Sequence, residues 1–387
     1  GLARRYLQTM KTISVVLLMM TFLSSCNSQT AKMNEIETIL SKQIEKNKTP
    51  SVQYLIFNKD SIIYQFSRGF ADIKNKKKVN ENTTYNAYSV TKTFTALAIL
   101  QLAEQGKIDI EQPVINYLPE FPYQSEITIR QLLNHSSGIP NPIPLSWIHL
   151  ADEHKSFNRN IFFNQILTKN NKTKSKPNEK YAYSNLGYVL LGQLIEKISK
   201  ISYEEFIHSN ILQPLGIENG EMDFTIAETN QHAKGYHKKY SFSNAILGFM
   251  IDKSKFVDTT EGKWNSFNNL YVNGISYGGL IGTSDVFVKY IQELLKPNCK
   301  LITDEYKKIL FTENLTNQGK PTGMCLSWFS GQLYGNQYFA HAGGGGGYYC
   351  EIRVYPDKGI GSVIMFNRTG MTDERFLDKL DKYALNE

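Results

Sequence analysis

The sequence predicts an α+β protein: one antiparallel sheet flanked by the terminal helices, with a mainly helical lobe inserted between its strands. Three observations carry this. Two β runs, SVQYLIFN and SIIYQFSRGF, meet at Asn58-Lys59-Asp60, a hairpin signal. A second β group, with the turn Pro356-Asp357-Lys358-Gly359, runs from Gly331 to Asn367 and reads as a meander. Between the two groups the apolar residues recur mainly at helical spacing.

The elements follow in chain order. Lys11-Thr12, the apolar run Ile13 to Leu23 and the small residues up to Cys26 make a secretory signal, too short for a transmembrane helix. Met10 is the expected start. Leu23-Ser24-Ser25-Cys26 resembles the lipobox of bacterial lipoproteins, in which the cysteine is lipidated; an ordinary cleaved signal is the alternative. The expectation is an exported protein, lipid-anchored at Cys26 to a bacterial membrane and facing periplasm or cell surface. Residues 27–34 read as a tether. A helix follows, with Met33, Ile36, Ile39, Leu40 and Ile44 at helical spacing, until Pro50 stops it. After the hairpin, SVTKTFTALAILQLAEQG is helical, with Gly106 placed to end it. ITIRQLLNHSSGIP, YSNLGYVLLGQLIEKIS and SYEEFIHSNILQPLG each predict a helix, and YGGLIGTSDVFVKYIQELL a glycine turn and then a helix. Residues 221–269 are polar, aromatic and aperiodic, and no element is assigned there. The last helix carries Phe376, Leu380 and Tyr383 on one face. The expected partition is a sheet domain of residues 35–125 and 274–387 and a helical lobe of residues 126–273.

Composition bounds the function. The chain has 387 residues, 41% hydrophobic and 20% charged, which is globular rather than disordered. The net charge of +7 is spread as single lysines. Lys76-Lys77-Lys78 reads as a solvated turn, and no basic helix with interleaved aromatics occurs, so nucleic acid is not an expected partner. Cys299, Cys325 and Cys350 show no CxxC spacing. They read as buried free thiols with at most one disulfide, and not as a zinc site.

Three stretches have the residue types for nucleophilic chemistry. Ser89 and Lys92 lie one helical turn apart at a helix start. A desolvated lysine there can take the serine proton, and free N–H groups can serve an oxyanion. The bland alternative is Ser89 as an N-cap with Lys92 in solvent. In Tyr183-Ser184-Asn185, a tyrosine beside an ammonium is acidified enough to act as a base, and the asparagine can orient the lysine or hold a substrate amide. The alternative is a tyrosine packed under a helix start. The run His341-Ala342 followed by Gly343 to Gly347 lets another backbone approach a strand, and an N–H at Gly343 or Gly344 can be a second oxyanion donor. A phosphate loop would need a lysine and a helix after the glycines, and a flexible connector fits poorly between β-patterned flanks.

The order and spacing of the three stretches resemble the motifs of the serine β-lactamase and penicillin-binding D-alanyl-D-alanine carboxypeptidase superfamily. The tyrosine in the second motif is similar to the class C β-lactamase and carboxypeptidase branch, which also holds esterases. The resemblance runs from about residue 35 to 370. It implies the β-lactamase/transpeptidase-like fold, Ser89 as the acylated nucleophile, and Lys92 and Tyr183 sharing acid and base work. It implies Asn185 on the substrate amide, the N–H groups of Ser89 and Gly344 as the oxyanion hole, and His341 on the opposite cleft wall beside Gly343. It implies no metal and no organic cofactor. The expected partner is a small-molecule or peptide substrate: a cell-wall peptide, a β-lactam or an ester. Class C enzymes usually carry lysine where this chain has His341, and a hydroxyl residue is common where it has Gly344. Carboxylate capture by His341 is therefore expected to be weak and to titrate near pH 6.5. Both departures favour a peptidase or esterase over an efficient β-lactamase. A non-catalytic module of the same fold that senses penicillin or peptidoglycan is the alternative.

Overall fold

The computed structural model describes residues 30–142, 146–240, 251–370 and 375–385. Cys26 and the signal segment lie outside the described residues. Helix α1 (30–45) is already formed at Thr30, inside the stretch expected as tether. Its Met33, Ile36 and Leu40 pack on the sheet, which gives those residues a reason to be ordered. β1 (Ser51–Asn58) and β2 (Ile62–Asp72) form the expected hairpin. Asn58 closes its turn by accepting the N–H groups of Asp60 and Ser61. Short β3 (Lys77–Lys78) and β4 (Thr84–Asn86) precede α2 (Thr91–Glu104). Residues 91–103 of α2 are all buried, so it is a core helix rather than a surface one. Gly106 follows it with φ +68°.

α3 (Ile129–Leu133) starts on a Thr128–Gln131 capping box. After β5 (Ile148–Leu150) come α4 (Arg159–Lys169), α5 (Asn185–Ser199) and α6 (Tyr203–Ile207). The segment left unassigned in the sequence holds β6 (Met222–Asp223), β7 (Tyr236–Lys238), β8 (Val257–Glu261) and β9 (Trp264–Phe267). β10 (Leu270–Val272) pairs with β5, and β11 (Ile281–Thr283) lies between β4 and β6. These strands are two to five residues long, too short for an alternation to show. The helices Ser284–Leu295 and Asp304–Leu310 lead to β12 (Phe329–Leu333), β13 (Asn336–Gly345), β14 (Tyr348–Tyr355) and β15 (Ile360–Phe366), and the helix Asp378–Leu385 follows.

The main sheet is antiparallel with the order β12-β13-β14-β15-β1-β2-β3. The first hairpin thus joins the last meander through β1 and β15, with Val52 opposite Phe366. Strand periodicity sends alternate residues to two cores. Val52, Tyr54, Ile364 and Phe366 face Leu40 of α1 and Leu377 and Leu380 near the C-terminus. Leu55, Phe57, Val363 and Met365 face the core that holds α2, α5 and the helix Ser284–Leu295. The sheet is therefore covered on one side by the chain ends and on the other by the helical lobe. Cys325 and Cys350 are buried and Cys299 is half-buried, all as free thiols.

Candidate active site

The site forms where α2 meets the strand β13. The turn Tyr88–Val90 delivers Ser89 to α2, and Tyr88 enters it at φ +47°, a conformation a bulky residue rarely adopts. Its ring is buried, and its hydroxyl donates to Gly346 O at 2.6 Å, which holds the turn against the glycine strand. Ser89 does not cap the helix: Val90 holds the N-cap position, with no side-chain cap bond. Nor does Lys92 reach solvent. It is fully buried, and its Nζ lies 3.1 Å from Ser89 Oγ.

Lys92 Nζ also donates to Asn185 Oδ1 at 2.8 Å and to the Tyr277 carbonyl at 2.9 Å. The rings of Tyr183, Tyr188 and Tyr277 surround it at 4.9, 5.5 and 5.3 Å. Burial pushes the Lys92 amine well below the usual lysine range. Asn185 Oδ1 and a carbonyl oxygen can only accept. With N–H bonds committed to both, Nζ is held toward the hydroxyl of Ser89. Tyr183 completes the group, its hydroxyl 2.9 Å from Ser89 Oγ.

α5 supplies the third side of the site. Ser184 caps it by accepting the Gly187 N–H at 3.1 Å, which places Asn185 in its first turn. Asn141 Oδ1 accepts both the N–H and the Nδ2 of Asn185, at 3.0 and 3.1 Å. That bond fixes the amide with its oxygen on Lys92. The structure thus assigns Asn185 first to orienting the lysine. His135 is buried at φ +57° and its Nδ1 accepts the Ser184 N–H at 3.1 Å. Its ring lies 4.3 Å from that of Tyr183, so it fixes the tyrosine loop.

The glycines have divided tasks. A Cβ on Gly343 would sit 2.1 Å from the Ala87 carbonyl and 2.8 Å from Ser89 N. A Cβ on Gly345 would sit 2.8 Å from the ring of Tyr88. These two glycines admit the chain's own Tyr88–Ser89 turn. Gly344 is exposed, and a Cβ there would meet only Tyr349, at 3.7 Å. β12 ends its pairing at Ala340, and among the described residues no strand pairs with 341–345 on that side. The expectation of an edge strand open to a substrate backbone therefore narrows to Gly344 and its neighbours.

His341 corrects an expectation. It is 1% exposed, and burial followed by the charge of Lys92 pushes it down to about 3. Its Nδ1–H is held by the Ala342 carbonyl at 2.8 Å. It lines the cleft as a neutral ring, not as a cation titrating near 6.5. The cleft is about 760 Å³ and runs from Ser89 past Tyr181, Tyr183, Phe329 and His341.

Several of these positions were not visible in the sequence. Asn141 reads as a turn residue after Pro140, the Tyr277 carbonyl has no side-chain signature, and the φ of Tyr88 is a property of the folded turn.

Residues 36–386 match the family model described as Beta-lactamase. The chain belongs to the β-lactamase family. Penicillin-binding protein 4* of Bacillus subtilis (strain 168) is 28% identical over 319 residues, 81% of this chain and 67% of that protein. Protein flp of Staphylococcus aureus (strain MW2) is 26% identical over 364 residues, 91% of this chain and 66% of flp. The chain thus spans about two thirds of the length of these curated relatives. Among solved structures, the octameric penicillin-binding protein homologue from Pyrococcus abyssi superposes with a TM-score of 0.71 at 26% identity, covering 91% of this chain and 76% of that one. The fold is the β-lactamase/transpeptidase-like one expected from the sequence, and the family is one of serine hydrolases of the β-lactamase and penicillin-binding type.

Proposed function

We propose that this chain is a serine hydrolase that forms an acyl-Ser89 intermediate on amide or ester substrates. One observation carries the reading: Ser89 Oγ lies within 3.1 Å of the Lys92 amine and 2.9 Å of the Tyr183 hydroxyl. Ser89 Oγ bonds to the substrate carbonyl carbon as its proton passes to Lys92 or Tyr183. The N–H groups of Ser89 and Gly344 receive the oxyanion. The bond to the leaving group breaks, and the leaving group takes a proton from Tyr183, which Lys92 replaces where the serine proton went to the amine. Water then attacks the acyl-enzyme along the same path in reverse and frees Ser89. Asn185 and Asn141 hold Lys92 in place.

A peptidase or esterase, acting on a D-amino-acid peptide of cell-wall type or on an ester, is favoured over an efficient β-lactamase. The support is the neutral His341 where class C enzymes have a fixed cation for a substrate carboxylate. The lipid anchor at Cys26 belongs to the same proposal, on the sequence of residues 11–26. Mass spectrometry of the membrane-extracted protein tests it; an unmodified Cys26 rejects it.

The test of activity is labelling with a fluorophosphonate, followed by turnover of D-Ala-D-Ala peptide, cephalosporin and short-chain aryl esters. Labelling is expected at Ser89 and lost in Ser89→Ala. Labelling that survives in that variant rejects the nucleophile. An acyl adduct on Ser89 that never turns over would point to the sensing module instead.

A further inference from the structure

Two recesses of opposite character leave Ser89. The larger holds Tyr181, Tyr183 and His341. The smaller, about 90 Å³, is lined on its far side by Ile148, Phe267, Leu270 and Val272, and by Tyr88 and Tyr277 next to the serine. Among the described residues, none that lines the smaller recess is charged. Its wall is the β5–β10 ribbon, in which Ile148 lies opposite Val272. Its floor is the bare strand at Gly344 to Gly346, where a Cβ on Gly346 would meet Phe267 and Leu270 only at 3.8 and 3.9 Å.

We infer that the smaller recess holds the acyl half of the substrate, and that this half is a short, uncharged aliphatic chain of three to four carbons. The inference rests on the acyl-Ser89 reading and names its substrate class. The argument is one of direction. The leaving group needs a proton, and the tyrosine that can give it opens only on the larger recess. The leaving group therefore departs on that side, and the group that stays on the carbonyl occupies the other. Size then selects. A protein cavity that binds the six carbons of benzene is about 150 Å³. On that scale a recess of about 90 Å³ has room for three to four carbons. The absence of a lining charge disfavours an acyl chain that carries an ammonium or a carboxylate, since such a group would be desolvated without a partner.

The experiment uses 4-nitrophenyl esters of two-, four-, six- and eight-carbon straight-chain acids, with fluorophosphonate labelling of the same preparations. kcat/KM is expected to rise about fourfold per methylene from two to four carbons, then to fall by eight. Leu270→Ala enlarges the recess and should move the optimum to longer chains. Gly346→Ala fills it at ordinary contact distance and should move the optimum to shorter ones. Each variant is judged on its own ratio of four- to two-carbon ester, so a change in overall activity does not confuse the result. A protein that labels at Ser89 but hydrolyses all chains alike, or keeps its optimum in both variants, overturns the inference and leaves the acyl-enzyme reading intact. A protein with no labelling and no turnover overturns both.

Discussion

The two walls of the cleft are built on opposite rules. On the helical side the polar atoms around Lys92 Nζ are partnered at short range, although His135 Nε2 and the Tyr277 hydroxyl are buried without a hydrogen-bond partner. Lys92 Nζ has Ser89, Asn185 and Tyr277; Asn185 has Asn141; Ser184 has His135. On the sheet side, from His341 to Gly346, there is little side chain at all. Among the described residues no strand pairs with this stretch beyond Ala340 on its open side. On the helical wall desolvation disfavours the charge on Lys92, while its fixed acceptors hold Nζ toward Ser89. The sheet wall makes room, first for the chain's own turn and then for a substrate. A change on the first wall should therefore cost rate, and a change on the second should cost fit or fold.

The largest effect is expected at Tyr183. Tyr183→Phe removes a proton carrier that faces both Ser89 and the larger recess, and turnover should fall by roughly 10²–10⁴-fold with the fold unchanged. Steady-state kinetics with circular dichroism check this. Turnover within a factor of two of the parent would leave Lys92 to act alone and break the division of labour between the walls.

The glycines sharpen it next. Gly343→Ala would press a methyl on the Ala87 carbonyl, and overpacking of this kind costs about 1–3 kcal/mol. Chemical denaturation should register that loss, and labelling of Ser89 should fall with it, since the nucleophile turn must move. Gly344→Ala has only a 3.7 Å contact to make and should leave stability near the parent's. Equal losses in the two variants would mean that the strand does not treat its two faces differently.

Asn185→Asp asks whether Lys92 is the titrating base. Burial lowers the amine's pKa by disfavouring its charged form, and activity should fall as pH drops through that pKa. A carboxylate in place of the amide at 2.8 Å favours the ammonium and should raise that pKa by about one to three pH units. The acid limb of kcat/KM should then begin at a higher pH. A slower enzyme whose acid limb stays in place would remove Lys92 as the base and return the role to Tyr183.

How much of this was legible depended on periodicity and on reactive residue types. Ser89, Lys92, Tyr183 and Asn185 could be singled out because their side chains have few bland reasons to occur in that order. Their convergence comes from α2 packing against α5 in one core. The strands between residues 222 and 267 were not legible: two to five residues cannot show an alternation, and their partners lie far along the chain. The roles of Gly343 and Gly345 were misread for a related reason. A glycine run announces close approach but not by what, and here it is the nucleophile's own turn. The boundary of α1 was missed because polar residues outnumber apolar ones at its start, where Met33 alone faces the sheet.

The smallest effect, and the one where the sequence misled most directly, is at His341. An isolated imidazole titrates near 6.5, and from that value follows a KM for anionic substrates that climbs with pH. The folded ring instead sits at about 3, because burial and then Lys92 oppose its charge. KM for an anionic substrate should therefore be flat between about pH 5 and 8, in the parent and in His341→Gln alike. The trace of the residue should lie in stability. Below about pH 6.5 the unfolded chain takes up a proton at this position, while the folded chain does not until near pH 3. The unfolded state binds more protons across that window, so stability is lost as pH falls through it. His341→Gln removes that contribution, and its denaturation midpoint should decline less steeply than the parent's between pH 6.5 and 4. A KM that rises through pH 6.5 in the parent and flattens in the variant would restore the imidazolium as the carboxylate's partner, and would place a working charge on the wall that otherwise supplies only space.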